Sequence, residues 1–141
     1  MNGVFRVRDL MTADVVTLNR NDKLTIADDL MNLGRIRHLP VVDEDGEIAG
    51  IVSQRDLFRG ALSKVLGYGT HAQQRLLSGI AVKEVMETKV VTAKPSDPVS
   101  KAAERMLDHK IGCLIVVEKN RIVGILTESD FVGLMVPPTD E

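Results

Sequence analysis

One cysteine, Cys113, is all the thiol chemistry that the 141-residue chain carries. An internal disulfide is thereby excluded and a reducing cytosol fits; within the apolar run IGCLIVV, Cys113 reads as a small core hydrophobe rather than a nucleophile. No apolar run approaches the ~20 residues that cross a bilayer. The opening MNGVFRVRDL has no continuous apolar segment of signal-peptide length, so a soluble cytoplasmic protein with no membrane partner is expected. An excess of one charge sign is missing as well: 18 Lys and Arg are scattered among 20 Asp and Glu, for a net charge of −2. That balance leaves no basic footprint for nucleic acid or an anionic membrane. Also absent are a phosphate-loop GKT or GKS, paired cysteines, HExxH and the serine elbow GxSxG. His38, Ser53 and Asp56 are the residue types of a triad, but nothing supplies an oxyanion hole or orients a base. His71 and His109 sit in polar contexts and nothing pairs them as metal ligands. A non-enzymatic chain without metal or cofactor is the expectation, and its 44% apolar residues are enough to bury a core.

What is present is a repeat. Sliding the chain by 75 residues lays VRDLM (Val7 to Met11) on VKEVM (Val82 to Met86), DVVT on KVVT, and IRHLPVV (Ile36 to Val42) on IGCLIVV (Ile111 to Val117). The offset then becomes 74, because the turn DEDGE is matched by the shorter EKNR, and GIVSQRDLF falls on GILTESDFV. A length change confined to a turn is what homologous units tolerate. The chain thus divides into a first unit, 1–66, a connector, 67–79, and a second unit, 80–141. A single unit of roughly 55 residues is marginal alone, and pairing is the remedy.

Each unit opens with a short amphipathic turn and a brief extended piece, VVT. A polar stretch ends at Asp22 or Asp97, read as helix N-caps, with Pro98 at the first helical position. Leu24, Ala27, Leu30 and Met31, and Val99, Ala102 and Met106 in the second copy, recur at helical spacing. LPVVDEDGEIAGIVS and LIVVEKNRIVGILT read as hairpins. A second helix follows, spanning about Leu57 to Leu66 in the first copy by its apolar spacing and cut short by Pro137 and Pro138 in the second. The order is strand, helix, strand, strand, helix, an α+β class. Gly67 to Ala72 in the connector superficially fits the dinucleotide fingerprint, but a helix precedes it where a strand is required.

The repeated Ser/Thr-x-x-Asp, with Ser53 and Asp56 in one copy and Thr127 and Asp130 in the other, admits two readings. It has the form of a capping box. It also presents a hydroxyl and a carboxylate at a helix N-terminus, where free N–H groups favour a phosphate and the carboxylate can accept from a ribose diol.

Taken together, VxxxM, VVT, the helix, RHLPVVD with its turn, GIVSQRDL and the matching second set resemble the CBS domain, and the tandem pair resembles a Bateman module. The resemblance covers nearly the whole chain except 67–79. It implies two units packed about a pseudo-twofold axis, with two clefts that bind adenine nucleotides or related adenosyl ligands. Carried over by residue, one cleft takes Thr127 and Asp130 with Val16, Thr17, Ile36, Arg37 and His38. The other takes Ser53 and Asp56 with Val91, Thr92, Ile111, Gly112 and Cys113. The aliphatic residues would sandwich the purine and the Asp would read the ribose. The second copy departs from the first in having Ile115 for Pro40 and Gly112-Cys113 for Arg37-His38, which makes two equivalent sites doubtful and leaves the Ser53 cleft without a cation unless Lys89, Lys110 or Arg55 reaches in.

The resemblance implies a regulatory module that senses an AMP, ADP or ATP type of ligand and modulates a homodimer or an unidentified partner protein. A ligand-free interaction scaffold and an S-adenosylmethionine or NAD(H) binder are the alternatives. The helix faces of Leu57, Phe58, Ala61 and Leu62, and of Phe131, Leu134 and Met135, are candidate dimer contacts.

Overall fold

A computed structural model describes residues 6–34, 36–57 and 77–136. The elements run α1 (Val7–Leu10), β1 (Leu18–Asn19), α2 (Leu24–Gly34), β2 (His38–Val42), β3 (Ile48–Ser53), a 3-10 turn (Val82–Glu84), β4 (Thr92–Ala93), α3 (Val99–His109), β5 (Cys113–Glu118), β6 (Arg121–Thr127) and α4 (Glu128–Gly133). They build a mixed α+β fold with two three-stranded sheets of the same design. In each, the first strand lies parallel to the second, with Leu18 beside Val41 and Thr92 beside Ile115. The second pairs antiparallel with the third, and both hairpins carry an irregularity, at Val41/Val42 and Val116/Val117.

The helices form where apolar spacing foretells. Leu24, Ala27 and Met31 on α2, and Ala102 and Met106 on α3, are buried. Both helices stop in the same way: the N–H of Ile36 returns to the Met31 carbonyl at 3.1 Å, and that of Ile111 to the Met106 carbonyl at 3.0 Å. In α3 the reversal is made by Lys110 in the left-handed region, φ 55. The second hairpin turns tightly on Lys119 and Asn120, with φ 54 and 65, the two positive values that a type I′ turn demands.

The space the chain occupies does not divide as its repeat does. One compact unit takes the residues up to Val15 together with those from Val91 on; the other runs from Val16 to Val90. Each opening turn has left its own repeat for the sheet of the other. In the unit that ends the chain, Val7 N–H bonds to the Asp97 carbonyl at 2.8 Å, and Thr12 and Ile125 exchange two backbone bonds of 2.9 Å. In the 16–90 unit, Val82 N–H bonds to the Asp22 carbonyl at 2.8 Å, and Ile51 and Glu87 exchange bonds of 3.0 and 2.9 Å. The exchanged arms plug both cores. Val7 joins Ala93, Ala102, Met106, Leu114, Val116 and Leu126, while Val82, Ile80 and Leu77 join Leu18, Leu24, Leu39, Val41 and Val52.

The arms also explain the glycine of the repeated motif. A Cβ on Gly50 would meet the Glu87 carbonyl and Met86 Sδ, each at 2.8 Å; one on Gly124 would collide with Met11 Sδ and lie 3.1 Å from the Thr12 carbonyl. Only glycine lets the arm lie against the edge strand, which it also shields from further pairing.

Several expectations need correction. Asp97 is not the cap of α3. Pro98 holds that place and the helix begins at Val99, because the Asp97 carboxylate turns back to the Lys94 N–H at 3.0 Å and lies 3.6 Å from Arg105. Asp22 does the same with the Asn19 N–H at 2.9 Å. The VVT segments lead into the first strands rather than forming them, since pairing starts at Leu18, just past the first segment, and at Thr92, the last residue of the second. The second helix of the first copy starts at Gln54, ahead of Leu57. Leu57 is buried in its own unit and is not an open dimer contact, whereas Phe131 is partly buried against the core of the other unit and Leu134 and Met135 are exposed. Phe58, Ala61 and Leu62, the helix beyond Leu57, the Gly67 to Ala72 stretch, His71, and Pro137 and Pro138 lie outside the described residues. Of the connector, Leu77 to Gly79 are described and are helical.

Candidate functional site

One end of each sheet gathers the residues singled out by the sequence. In the 16–90 unit, antiparallel pairing sets His38 opposite Ser53, and the parallel register of β1 brings Val16 and Thr17 towards the same end. Ile36 packs on the core, fixed by the helix end described above. The corner is closed by a bond from the Gln54 N–H to the Arg37 carbonyl at 2.8 Å. The other unit repeats the arrangement: Cys113 stands opposite Thr127, Thr92 beside Ile115, Ile111 packs on the core, and Glu128 N–H bonds to the Gly112 carbonyl at 3.2 Å.

In both copies the carboxylate accepts from the N–H three residues back, and in the first copy Ser53 completes a reciprocal capping box. The Ser53 N–H and Oγ–H each donate to Asp56 Oδ2 at 2.9 Å, and the Asp56 N–H donates back to Ser53 Oγ at 3.1 Å. The Thr127 N–H donates to Asp130 Oδ2 at 2.8 Å, with Thr127 Oγ1 3.4 Å from the same oxygen and 2.8 Å from Ser129 Oγ. The expectation of free N–H groups waiting for a phosphate is thereby corrected at two positions of the 16–90 unit: the Gln54 N–H is taken by the Arg37 carbonyl, and the Asp56 N–H by the hydroxyl. An anion here depends mainly on side chains. Arg37 and Arg55 are exposed and His38 is half-buried. The bonds to Asp56 and Asp130 just described end on Oδ2 alone, and a carboxylate has a second oxygen with which to accept.

Within each unit the pre-strand segment and the Ser/Thr-x-x-Asp motif share one sheet end. Ile36, Arg37 and His38 share a sheet end with Ser53 and Asp56; Ile111, Gly112 and Cys113 share one with Thr127 and Asp130. The reason is register, since the residues that enter the middle strand lie across from those that leave its antiparallel neighbour. Cys113 is buried, and burial first, then the Asp130 carboxylate, push its thiol up to about 12. That is the state of a core hydrophobe and not of a nucleophile. Two residues escaped the sequence reading. Gln54 and Glu128, the first variable positions of the repeated motif, close the two corners and differ in charge; the glycine at 112, set against the arginine at 37, was the available signal. Among the described residues, no helix is long and apolar enough to cross a membrane.

Comparison with known proteins bears on the whole arrangement. The CBS domain pattern matches residues 7–63 and again 82–137. A CBS domain-containing protein of Dictyostelium discoideum is 33% identical over 92% of this chain and 90% of its own length. The homoserine O-acetyltransferase of Methanohalobium evestigatum is 32% identical over 92% of this chain, but the chain spans only 24% of that enzyme. Among solved structures, AcuB of Vibrio cholerae superposes with a TM-score of 0.78 at 38% identity, covering 94% of this chain and 91% of that one. The CBS domain pair of protein MJ0100, in complex with 5′-methylthioadenosine and S-adenosyl-L-methionine, superposes with a TM-score of 0.79 at 28% identity over 94% and 97%. The chain belongs to the CBS-domain family and carries the domain twice in tandem.

Proposed function

We propose that the chain is a regulatory module, without catalysis of its own, that binds adenosine-containing ligands at the sheet ends of its two units and acts on a homodimer or a partner protein in the cytoplasm. The observation that carries this reading is the duplicated corner: a hydroxyl-braced carboxylate beside an aliphatic pre-strand segment, twice, in a chain whose structural relative holds two adenosyl compounds. In the 16–90 unit Val16 and Ile36 flank the adenine, the second oxygen of Asp56 accepts from the ribose, and Arg37 with Arg55 meets the phosphates of AMP, ADP or ATP. Val91, Ile111 and Asp130 are their counterparts in the other unit. Occupying a quarter of a larger enzyme in a relative fits a module that controls chemistry done elsewhere.

A ligand that binds only the native state adds RT ln(1 + [L]/Kd), about 2.7 kcal/mol at a hundredfold excess over Kd. The melting temperature is expected to rise by several degrees with at least one of AMP, ADP, ATP, S-adenosylmethionine and NADH. Unchanged melting with all of them at millimolar concentration would leave the scaffold as the better reading. That second reading has its own support, because capping alone accounts for Ser53, Asp56 and Asp130. The homodimer rests on the exposed Val132, Leu134 and Met135. Light scattering that returned one chain mass at all concentrations, with and without nucleotide, would remove it.

A further inference from the structure

The two corners have the same backbone geometry and opposite charge, and Glu128 makes the difference. A Cβ on residue 112 would lie 2.9 Å from Glu128 Oε1 and 3.4 Å from its Cδ. The Glu128 carboxylate therefore fills the space that a side chain at position 112 would enter. At the matching place in the other unit the side chain is that of Arg37, and the matching corner residue is the neutral Gln54. Where one sheet end starts a guanidinium, the other lays down a carboxylate, with the Asp130 carboxylate two residues on.

We infer that Glu128 selects ligands by charge: the sheet end of Gly112, Thr127 and Asp130 takes an adenosyl ligand that carries no phosphate, neutral or cationic at the 5′ side, and the end of Arg37 and Asp56 takes the phosphorylated one. The inference rests on the adenosyl-binding reading above. A phosphate placed beside the exposed Glu128 carboxylate meets a like charge at contact distance, well inside the ~8 Å over which physiological salt screens charges. A sulfonium placed there meets an opposite one. Glycine at 112 is what lets the carboxylate reach this position, so the two residues act as a pair.

Two-dimensional NMR of the full-length 15N-labelled chain reads the two ends separately, through the amides of 111–113 and of 36–38. Adenosine and S-adenosylmethionine are expected to shift 111–113 in the wild type, and AMP to shift 36–38 while leaving 111–113 in place. In Glu128→Gln, which keeps the side-chain shape, AMP should shift 111–113 with affinity at least tenfold above wild type. S-adenosylmethionine should weaken there several-fold, with adenosine unchanged. If AMP moves 111–113 in the wild type as readily as adenosine does, or if Glu128→Gln leaves the AMP affinity there unaltered, Glu128 is not the selector and the adenosyl reading survives. If no adenosyl compound moves either set of amides, the binding reading falls and this inference with it.

Discussion

At the scale of single residues, the repeated motif has a structural reason at every fixed position, and function is layered on top. The glycine admits the arm, the aliphatics fill the sheet, and the hydroxyl and aspartate form the cap. Cys113 is the residue whose chemistry is best fixed by its surroundings. Its thiol is raised from 9.0 to about 12, mainly by burial. A thiol raised in the folded state holds its proton where the unfolded chain has lost it, so its contribution to stability is intact below pH ~9 and is lost as pH climbs towards ~12, at no more than about 1.4 kcal/mol per pH unit. Two measurements follow. At pH 8 the native protein should react with a disulfide reagent orders of magnitude more slowly than the same protein in denaturant, and Cys113→Ala should flatten the decline of melting temperature between pH 9 and 11. Rapid labelling of the native protein at pH 8 would show the thiol to be accessible and ionisable. The identity of Cys113 as core is legible from its apolar neighbours alone, whereas the charge contrast at Glu128 is not: the sequence marks an exposed glutamate, and only the structure sets its carboxylate against Gly112.

At the scale of elements, helices and hairpins are legible because each has a local cause. Apolar residues at three-to-four spacing specify α2 and α3, and β-branched runs about a polar turn specify both hairpins. The helix starts are not legible in the same way, because Asp97 and Asp22 have a competing partner behind them, a turn N–H three residues back, and no sequence rule says which way a carboxylate will turn. The arms can be read as amphipathic turns but not as to destination. Val7 and Val82 head the same apolar pattern, and what separates them is a distant partner, the Asp97 carbonyl for one and the Asp22 carbonyl for the other. The glycine contacts make the destination testable. Gly124→Val puts branched carbons where Met11 and the Thr12 carbonyl lie, and should destabilise by about 1–3 kcal/mol. Gly79 has open space around its Cβ position, so Gly79→Ala should be neutral or slightly stabilising. Thermal melts of the two variants that lie within a degree of each other would mean that the arm does not press on β6.

At the scale of the whole molecule, the repeat read from the sequence and the compact unit read from the structure are different partitions of one chain, and fragments distinguish them. Residues 1–66 hold a complete sequence repeat but lack Leu77, Ile80 and Val82, which fill the core around Leu18, Leu39 and Val52. Each of these side chains, all 5% exposed or less, contributes about 1.5–3 kcal/mol on burial. Their joint loss, roughly 4.5–9 kcal/mol, matches the entire stability expected of so small a domain. A fragment of residues 16–90 cuts across both repeats yet keeps the sheet, α2 and the arm that completes the core. The 16–90 fragment is therefore expected to give a dispersed amide spectrum and a cooperative melt, at a lower temperature than the full chain because a small unit buries a smaller share of its surface. The 1–66 fragment is expected to give neither. A cooperative 1–66 fragment beside an unfolded 16–90 would show that each repeat can retain its own opening turn, and that the exchange of arms adds nothing the core depends on.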